Sequence, residues 1–202
     1  MIQGTDEWFA TKLGKVSGSR INDAVSFLVK GGESEKQKTY KMELVAERLT
    51  GKRVDFFKTP AMRWGTDNEE DARYEYEILT NKFVNQVGFV DHPTLAWAGA
   101  SPDGLVDDGL VEFKCPNTTT HIKYILGGVV PDDYKNQMLW QMICCERKWC
   151  DFVSYDPRMP VDLQIFKVRF IPDEEALIAL EVSVSNFLNS VKVLEDKVRG
   201  MS

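Results

Sequence analysis

The sequence predicts an α/β fold in which a central mixed β-sheet is flanked by helices. Three observations carry this. Helix-periodic segments stand near both ends of the chain. Short apolar runs bounded by Gly, Pro and Asp fill its middle, and two further helical segments separate those runs from a last pair of strands. Helices before, between and after strands cover the faces of a mixed sheet. A chain of 202 residues, 43% hydrophobic and 28% charged, suits one domain over residues 1–202 with one sizeable core.

Residues 17–29, SGSRINDAVSFLV, place Ser17 or Ser19 as the N-cap of a first helix, stopped by Gly31 and Gly32. Residues 35–50 bring Tyr40, Leu44, Val45 and Leu49 to helical spacing and end at Gly51, a residue that accepts the left-handed conformation past a helix end. The stretch 61–80 reads as helical from Thr66 or Asp67, with acidic residues in the favourable first turn, so a third helix is expected to start near Glu69. Residues 83–90, 95–99 and 110–115 are the central strands. Residues 119–126 and 132–145 read as helices, with Pro131 near the first turn of the second. Two more strands, 149–155 and 163–170, flank the turn DPRMP, and a long helix opened by Pro172 and Asp173 covers 173–198.

Composition narrows the function classes. The N-terminal MIQGTDEWFA lacks the basic start and apolar run of a secretory signal, and no segment approaches the roughly 18 apolar residues that cross a bilayer. A cytosolic protein with no membrane partner is expected. Cys115, Cys144, Cys145 and Cys150 form no C-x-x-C pair and have no spaced histidine, so they read as reduced, mostly buried thiols rather than zinc ligands. With only His92 and His121 available, histidine triads are poorly supported and metal work falls to carboxylates. The net charge of −6 offers nucleic acid no global attraction, so a DNA partner needs a local basic surface or bound cations.

The stretch SPDGLVDDGLVEFKCP, residues 101–116, holds the chemistry. On a strand, Glu112 and Lys114 share one face while Val111, Phe113 and Cys115 share the other. Asp108-Gly109 is a two-residue hairpin signal of type I′. That register pairs Val106 with Val111 and Leu105 with Glu112, setting Asp103 opposite Lys114 and one diagonal step from Glu112, on the same face. A three-residue turn over 107–109 would shift the register by one and send Asp103 to the other face. Two carboxylates a diagonal apart can close on one divalent ion, and oxygen ligands without His or Cys favour Mg²⁺ or Mn²⁺. A lysine beside them can hold or deprotonate an attacking water, or meet charge on a phosphate oxygen. The plainer alternative is a solvated face of an edge strand, with Asp103 a turn residue after Pro102.

RWGTDNEEDAR, SPDGL, VEFKCP, LGG, the Y-x-x-Q of Tyr134 to Gln137, and YDPRM occur in one order. Together they closely resemble the phage lambda exonuclease family, a branch of the PD-(D/E)XK nucleases with a restriction-endonuclease-like core, from about Trp8 to Met159. The resemblance implies that Asp103 and Glu112 are metal ligands, Lys114 the catalytic lysine, and the Phe113 backbone carbonyl a further metal contact. It also implies that Glu69, in the W-G-x-x-x-E block, completes a two-ion site, and that Gln137 positions water or substrate. Ser101, Ser19 and Lys12 fall on contacts to the terminal 5′-phosphate. One departure stands out: a W-x-x-L-R-L-G block in the family has arginine where WFATKLG has Lys12, which keeps the charge and loses the bidentate fork.

By the same resemblance the chain is expected to be a Mg²⁺-dependent 5′-to-3′ exonuclease on linear double-stranded DNA, releasing mononucleotides and leaving a 3′ single-stranded overhang for recombination by strand annealing. Two ions are expected, with Mn²⁺ able to substitute. A homotrimer ring around DNA, a single-strand annealing protein as partner, and a phage or prophage gene acting in the bacterial cytoplasm belong to the same expectation. Other readings are a structure-selective or restriction-type endonuclease built on the same core, and a catalytically silent DNA-binding or assembly protein.

Overall fold

In the computed structural model, which describes residues 3–28, 31–54 and 59–201, a two-stranded ribbon of β1 (Val90–Asp91) and β2 (Gly99–Ala100) lies apart from the main sheet. That sheet has the order β3 (Gly104–Val106), β4 (Gly109–Lys114), β5 (Cys150–Tyr155), β6 (Ile165–Phe170). Its outer pairs are antiparallel and β4 and β5 are parallel, so it is mixed, as expected. Parallel neighbours need a crossover. Here it consists of α5 (Thr118–Gly127) and α6 (Asp132–Cys145).

The remaining helices are α1 (Asp6–Lys12), α2 (Ile21–Ala24) after a 3₁₀ turn at Gly18–Arg20, α3 (Glu35–Thr50), α4 (Pro60–Thr80) and α7 (Glu174–Arg199). One face of the sheet, through Leu110 and Phe152, joins a core with Met138, Trp140 and Met142 of α6, Tyr40 and Leu44 of α3, and a stripe of α7. The opposite face, through Val111, Phe113 and Val153, packs on Ala72 and Tyr76 of α4. Covered on both sides, β4 is buried over nearly its whole length, as a central strand with a parallel neighbour is.

Several boundaries differ from the sequence reading, each for a local reason. α1 was not anticipated, although Thr5 accepts from the Trp8 N–H at 3.3 Å and Asp6 and Glu7 load its first turn. The predicted helix at 17–29 is cut to the 3₁₀ turn and α2: the Ala24 carbonyl accepts from the Gln37 side chain at 2.6 Å, and Phe27 then bridges to Glu33. Its predicted end, Val29, lies outside the described residues. α4 starts at Pro60, earlier than Glu69, because Thr59 caps it and proline suits the first helical position. The runs 83–90 and 95–99 are mostly irregular. His92 Nδ1 accepts from the backbone N–H groups of Thr94 and Leu95 at 3.1 and 3.0 Å, and Trp97 has φ +66°, so side-chain bonds replace a ladder.

α7 corrects the expectation that no segment is long and apolar enough to cross a bilayer: by length and composition its 26 residues are. Yet Leu180, Val184, Phe187 and Val191 recur at helical spacing and are buried in the core shared with α3 and α6, which makes it a core helix rather than a membrane span.

The YDPRM block has a structural task. Asp156, fully buried just past β5, accepts from the Thr118 hydroxyl at 2.6 Å and from the backbone N–H and guanidinium of Arg158 at 3.0 and 2.7 Å. Arg158 in turn donates to the Pro116 carbonyl at 3.1 Å and stacks on Trp64. The clamp thus joins the end of β4, the start of α5 and α4. Burial alone would raise the Asp156 pKa, but the hydrogen bonds from Arg158 and Thr118 outweigh it and bring it down to about 2. A depressed carboxylate stabilises the fold above its unfolded pKa and loses that contribution as pH falls through the folded value. Asp156→Asn is therefore expected to lower stability by on the order of 2 kcal/mol at pH 7. The deficit should shrink between about pH 4 and pH 2 as the native carboxylate is protonated, in urea-unfolding midpoints measured across that range.

Candidate active site

The hairpin that carries the acidic residues turns one position earlier than expected. Val106 pairs with Gly109, Leu105 with Leu110 and Gly104 with Val111, so the two turn residues are Asp107 and Asp108. Asp107 takes the positive φ, +51°, which an aspartate tolerates, and Asp108 does not, which rules out type I′. Gly109 serves packing instead: a Cβ there would collide with the Trp149 ring. The register therefore slips by two residues from the expected one. Because side chains alternate with a period of two, the slip leaves Asp103 on the face of Glu112 and Lys114, and it brings Asp103 across from Glu112 rather than from Lys114. Asp103 Oδ2 accepts from the Phe113 N–H at 2.7 Å, which fixes the carboxylate beside β4.

Glu112 is fully buried, and its two oxygens are held differently. Oε1 forms an ion pair with Lys114 and accepts from Gln137 Nε2 at 2.5 Å; Oε2 accepts from Gln141 Nε2 at 2.6 Å. Gln137 and Gln141 stand one helical turn apart on α6, so both amides face the strand. Lys114 Nζ also lies 5.0 Å from the Tyr134 ring centroid. Burial would lower the Lys114 pKa, but the Glu112 and Asp103 carboxylates hold it above the ordinary lysine range, so the group is an ammonium donor in this arrangement. The structure thus brings Gln137, expected to position water or substrate, onto Glu112. Gln141 was missed, though its spacing of four from Gln137 on an evident helix was a usable signal.

Glu69 of α4 joins the group from the other side. It is partly buried while Glu70 and Asp67 are exposed, which singles it out among its acidic neighbours. Burial, then repulsion from Glu112, raises its pKa; burial, then Glu112 and Glu69, raise that of Asp103 well above the usual carboxylate range. Three carboxylates therefore press on one another with Lys114 as the cation between them. An all-oxygen donor set with unrelieved negative charge fits a hard divalent ion in its chemistry. Among the described residues no three His, Cys, Asp or Glu side chains are gathered into a ready ligand cage, and both Glu112 oxygens are engaged by Lys114 and the two amides.

Asp103, Glu69 and Phe113 open on a cleft of about 1080 Å³, also lined by Lys12, Ser19 and Arg73. Lys12 Nζ sits 4.0 Å from the Trp8 ring centroid, and the Trp8 indole donates to Ser101 Oγ at 2.9 Å, so Trp8 links two residues of the expected phosphate pocket. Ser19 lies across the same cleft in the 3₁₀ turn, 3.4 Å from the Ser17 hydroxyl. The helix after it has four residues, so a helix N-terminus adds little there. Burial, then the Arg53 charge, lowers the Lys12 pKa to about 8. Trp8 was not assigned a role from sequence; its i, i+4 relation to Lys12 was the available sign.

Residues 7–148 match the family described as the YqaJ-like viral recombinase domain. Among solved structures the chain is similar to an alkaline exonuclease, LHK-Exo, from Laribacter hongkongensis, with 43% identity and a TM-score of 0.89 over 98% of this chain and 97% of that one. The complex of LHK-Exo with dAMP matches at 45% identity, with the same TM-score over the same shares of the two chains. A phage related exonuclease from Haemophilus somnus 129PT shares the fold, with a TM-score of 0.70 at 16% identity over 93% of this chain and 96% of that one. No curated protein matches the chain.

Removing the cation from a buried pair leaves its partner's charge uncompensated. Lys114→Ala is expected to destabilise the protein by on the order of 3 kcal/mol, and Glu112→Gln in that background to recover most of the loss. Urea unfolding of the two single variants and the double variant gives the coupling; simple additivity would show that the pair does not interact.

Proposed function

Since the chain belongs to the YqaJ-like viral recombinase domain family, we propose that it is a recombination nuclease that degrades the 5′-ended strand of linear double-stranded DNA from 5′ to 3′. It releases mononucleotides and leaves a 3′ single-stranded overhang. The observation that carries the proposal is the buried Glu112 carboxylate, paired with Lys114 and facing Asp103 on one sheet face. The similar exonuclease structure that holds dAMP, a mononucleotide, supports the product class.

In this reading Asp103, Glu112, Glu69 and the Phe113 carbonyl hold Mg²⁺, two ions in the full site, with Mn²⁺ as a substitute. When bound, the metal polarises the phosphate and lowers the pKa of water. The protein's own groups do the rest. Lys114, as an ammonium, donates to the attacking water or to a phosphate oxygen as charge builds there. The Gln137 amide, within reach of the same carboxylate, orients that water. Ser19, Ser101 and Lys12 take the terminal 5′-phosphate, and Trp8 braces Ser101 and Lys12 together. Residues 1–202 act as one nuclease domain, a homotrimer ring encloses the duplex, and a single-strand annealing protein receives the overhang. The setting is a bacterial host cell, with the gene carried by a phage or prophage.

A time course on linear duplex labelled separately at each 5′ and 3′ end, with and without Mg²⁺, tests direction and cofactor together. Early loss of 5′ label as mononucleotide, only with metal, is expected; nicking of circular duplex would point to an endonuclease instead. Glu112→Gln and Lys114→Met should each lower the rate by roughly 100-fold or more. With its pKa near 8, Lys12 is charged below that pH and neutral above it. Preference for a phosphorylated over a dephosphorylated 5′ end should therefore decline, by about tenfold, as pH rises through this range. In Lys12→Arg it should hold constant, as read from kcat/KM on the two ends at a series of pH values.

A further inference from the structure

Gln141 lies between Trp140 and Met142 in the most apolar run of α6 and is 1% exposed. A side-chain amide in such surroundings is costly unless it is hydrogen-bonded. Its Nε2 has one partner, Oε2 of Glu112 at 2.6 Å, and its Oε1 is buried with none among the described residues. The amide cannot be turned over, because Oε1 would then face a carboxylate oxygen. Its whole orientation is thus set by Glu112. Gln137, one turn earlier and half-buried, bonds the other oxygen and shares it with Lys114.

We infer that Gln141 is a positioning residue: it anchors Oε2 so that Glu112 keeps one orientation, while Oε1 is the oxygen that passes between Lys114, Gln137 and a divalent cation. The inference rests on the nuclease reading above and deepens it. The asymmetry of burial is what separates the two glutamines. A sealed amide in the core has no competing water and holds its contact, whereas a half-buried one such as Gln137 exchanges.

The test uses the full chain with Mn²⁺ alone, titrated calorimetrically, alongside steady-state cleavage of a 5′-phosphorylated linear duplex. Gln141→Leu removes the amide at similar volume, and Gln141→Asn withdraws it by one methylene. Each is expected to weaken Mn²⁺ binding by roughly 10- to 100-fold, to lower kcat with the KM for DNA unchanged, and to regain rate as Mn²⁺ is raised. A folded variant that binds Mn²⁺ with wild-type affinity overturns the inference, even if its melting temperature drops, since a purely structural glutamine would give that result. Should Gln141→Leu fail to fold, Gln141→Asn decides on the same two measurements. If the wild-type chain binds Mn²⁺ and leaves duplex DNA intact, the nuclease reading fails, and the Mn²⁺ affinities of the variants still decide the anchoring.

Discussion

A carboxylate with no access to water sits at the centre of this molecule, and the elements around it are arranged to make that tenable. Glu112 is buried on a central strand, where an isolated charge would be prohibitively costly. Lys114, two residues along on the same face, supplies the opposite charge, and two glutamines from the crossover helix supply the hydrogen bonds. The parallel pairing of β4 with β5 matters here because it requires a crossover, and the crossover is what lays α6 over the strand. Topology and electrostatics are therefore one problem with one solution: the link that the sheet demands also carries the amides that the charge demands.

Asp103 and Glu69 add negative charge where the protein already has an excess, and burial, then repulsion from Glu112, raises the pKa of each. Across the same cleft Lys12 stacks on Trp8, with Arg73 at another wall. In a chain with a net charge of −6 this cleft is lined by Lys12, Lys15, Arg20, Arg53 and Arg73 as well as by Glu43, Glu47, Glu69, Glu70 and Asp103, so the excess of acid over base is locally offset there.

Much of this was legible in the sequence because it depends on period and composition. The helices at 35–50 and 132–145 agree with α3 and α6 to the residue, the first set between the Ser34 cap and Gly51. The shared face of Glu112 and Lys114 follows from strand alternation alone. What was not legible depends on side-chain partners, some close by and some distant in the chain. The runs 83–90 and 95–99 look like strands by apolarity, yet between them His92 captures the nearby Thr94 and Leu95 N–H groups and most of the ladder never forms. The Asp108-Gly109 pair has the chemistry of a tight turn, but Trp149, some forty positions later, needs the glycine for contact. Gln141 looks like a surface residue of a helix until the strand beneath it is known to carry a buried acid.

The hairpin corner couples the packing of β3 to the placement of its acid. Its register differs from the anticipated one by two positions and the reactive side chains still converge, whereas a slip of one would have separated them. A slip of one would turn over the whole of β3, moving the buried Val106 out of the core together with Asp103, so a change of register that misplaces the acid also unpacks the sheet.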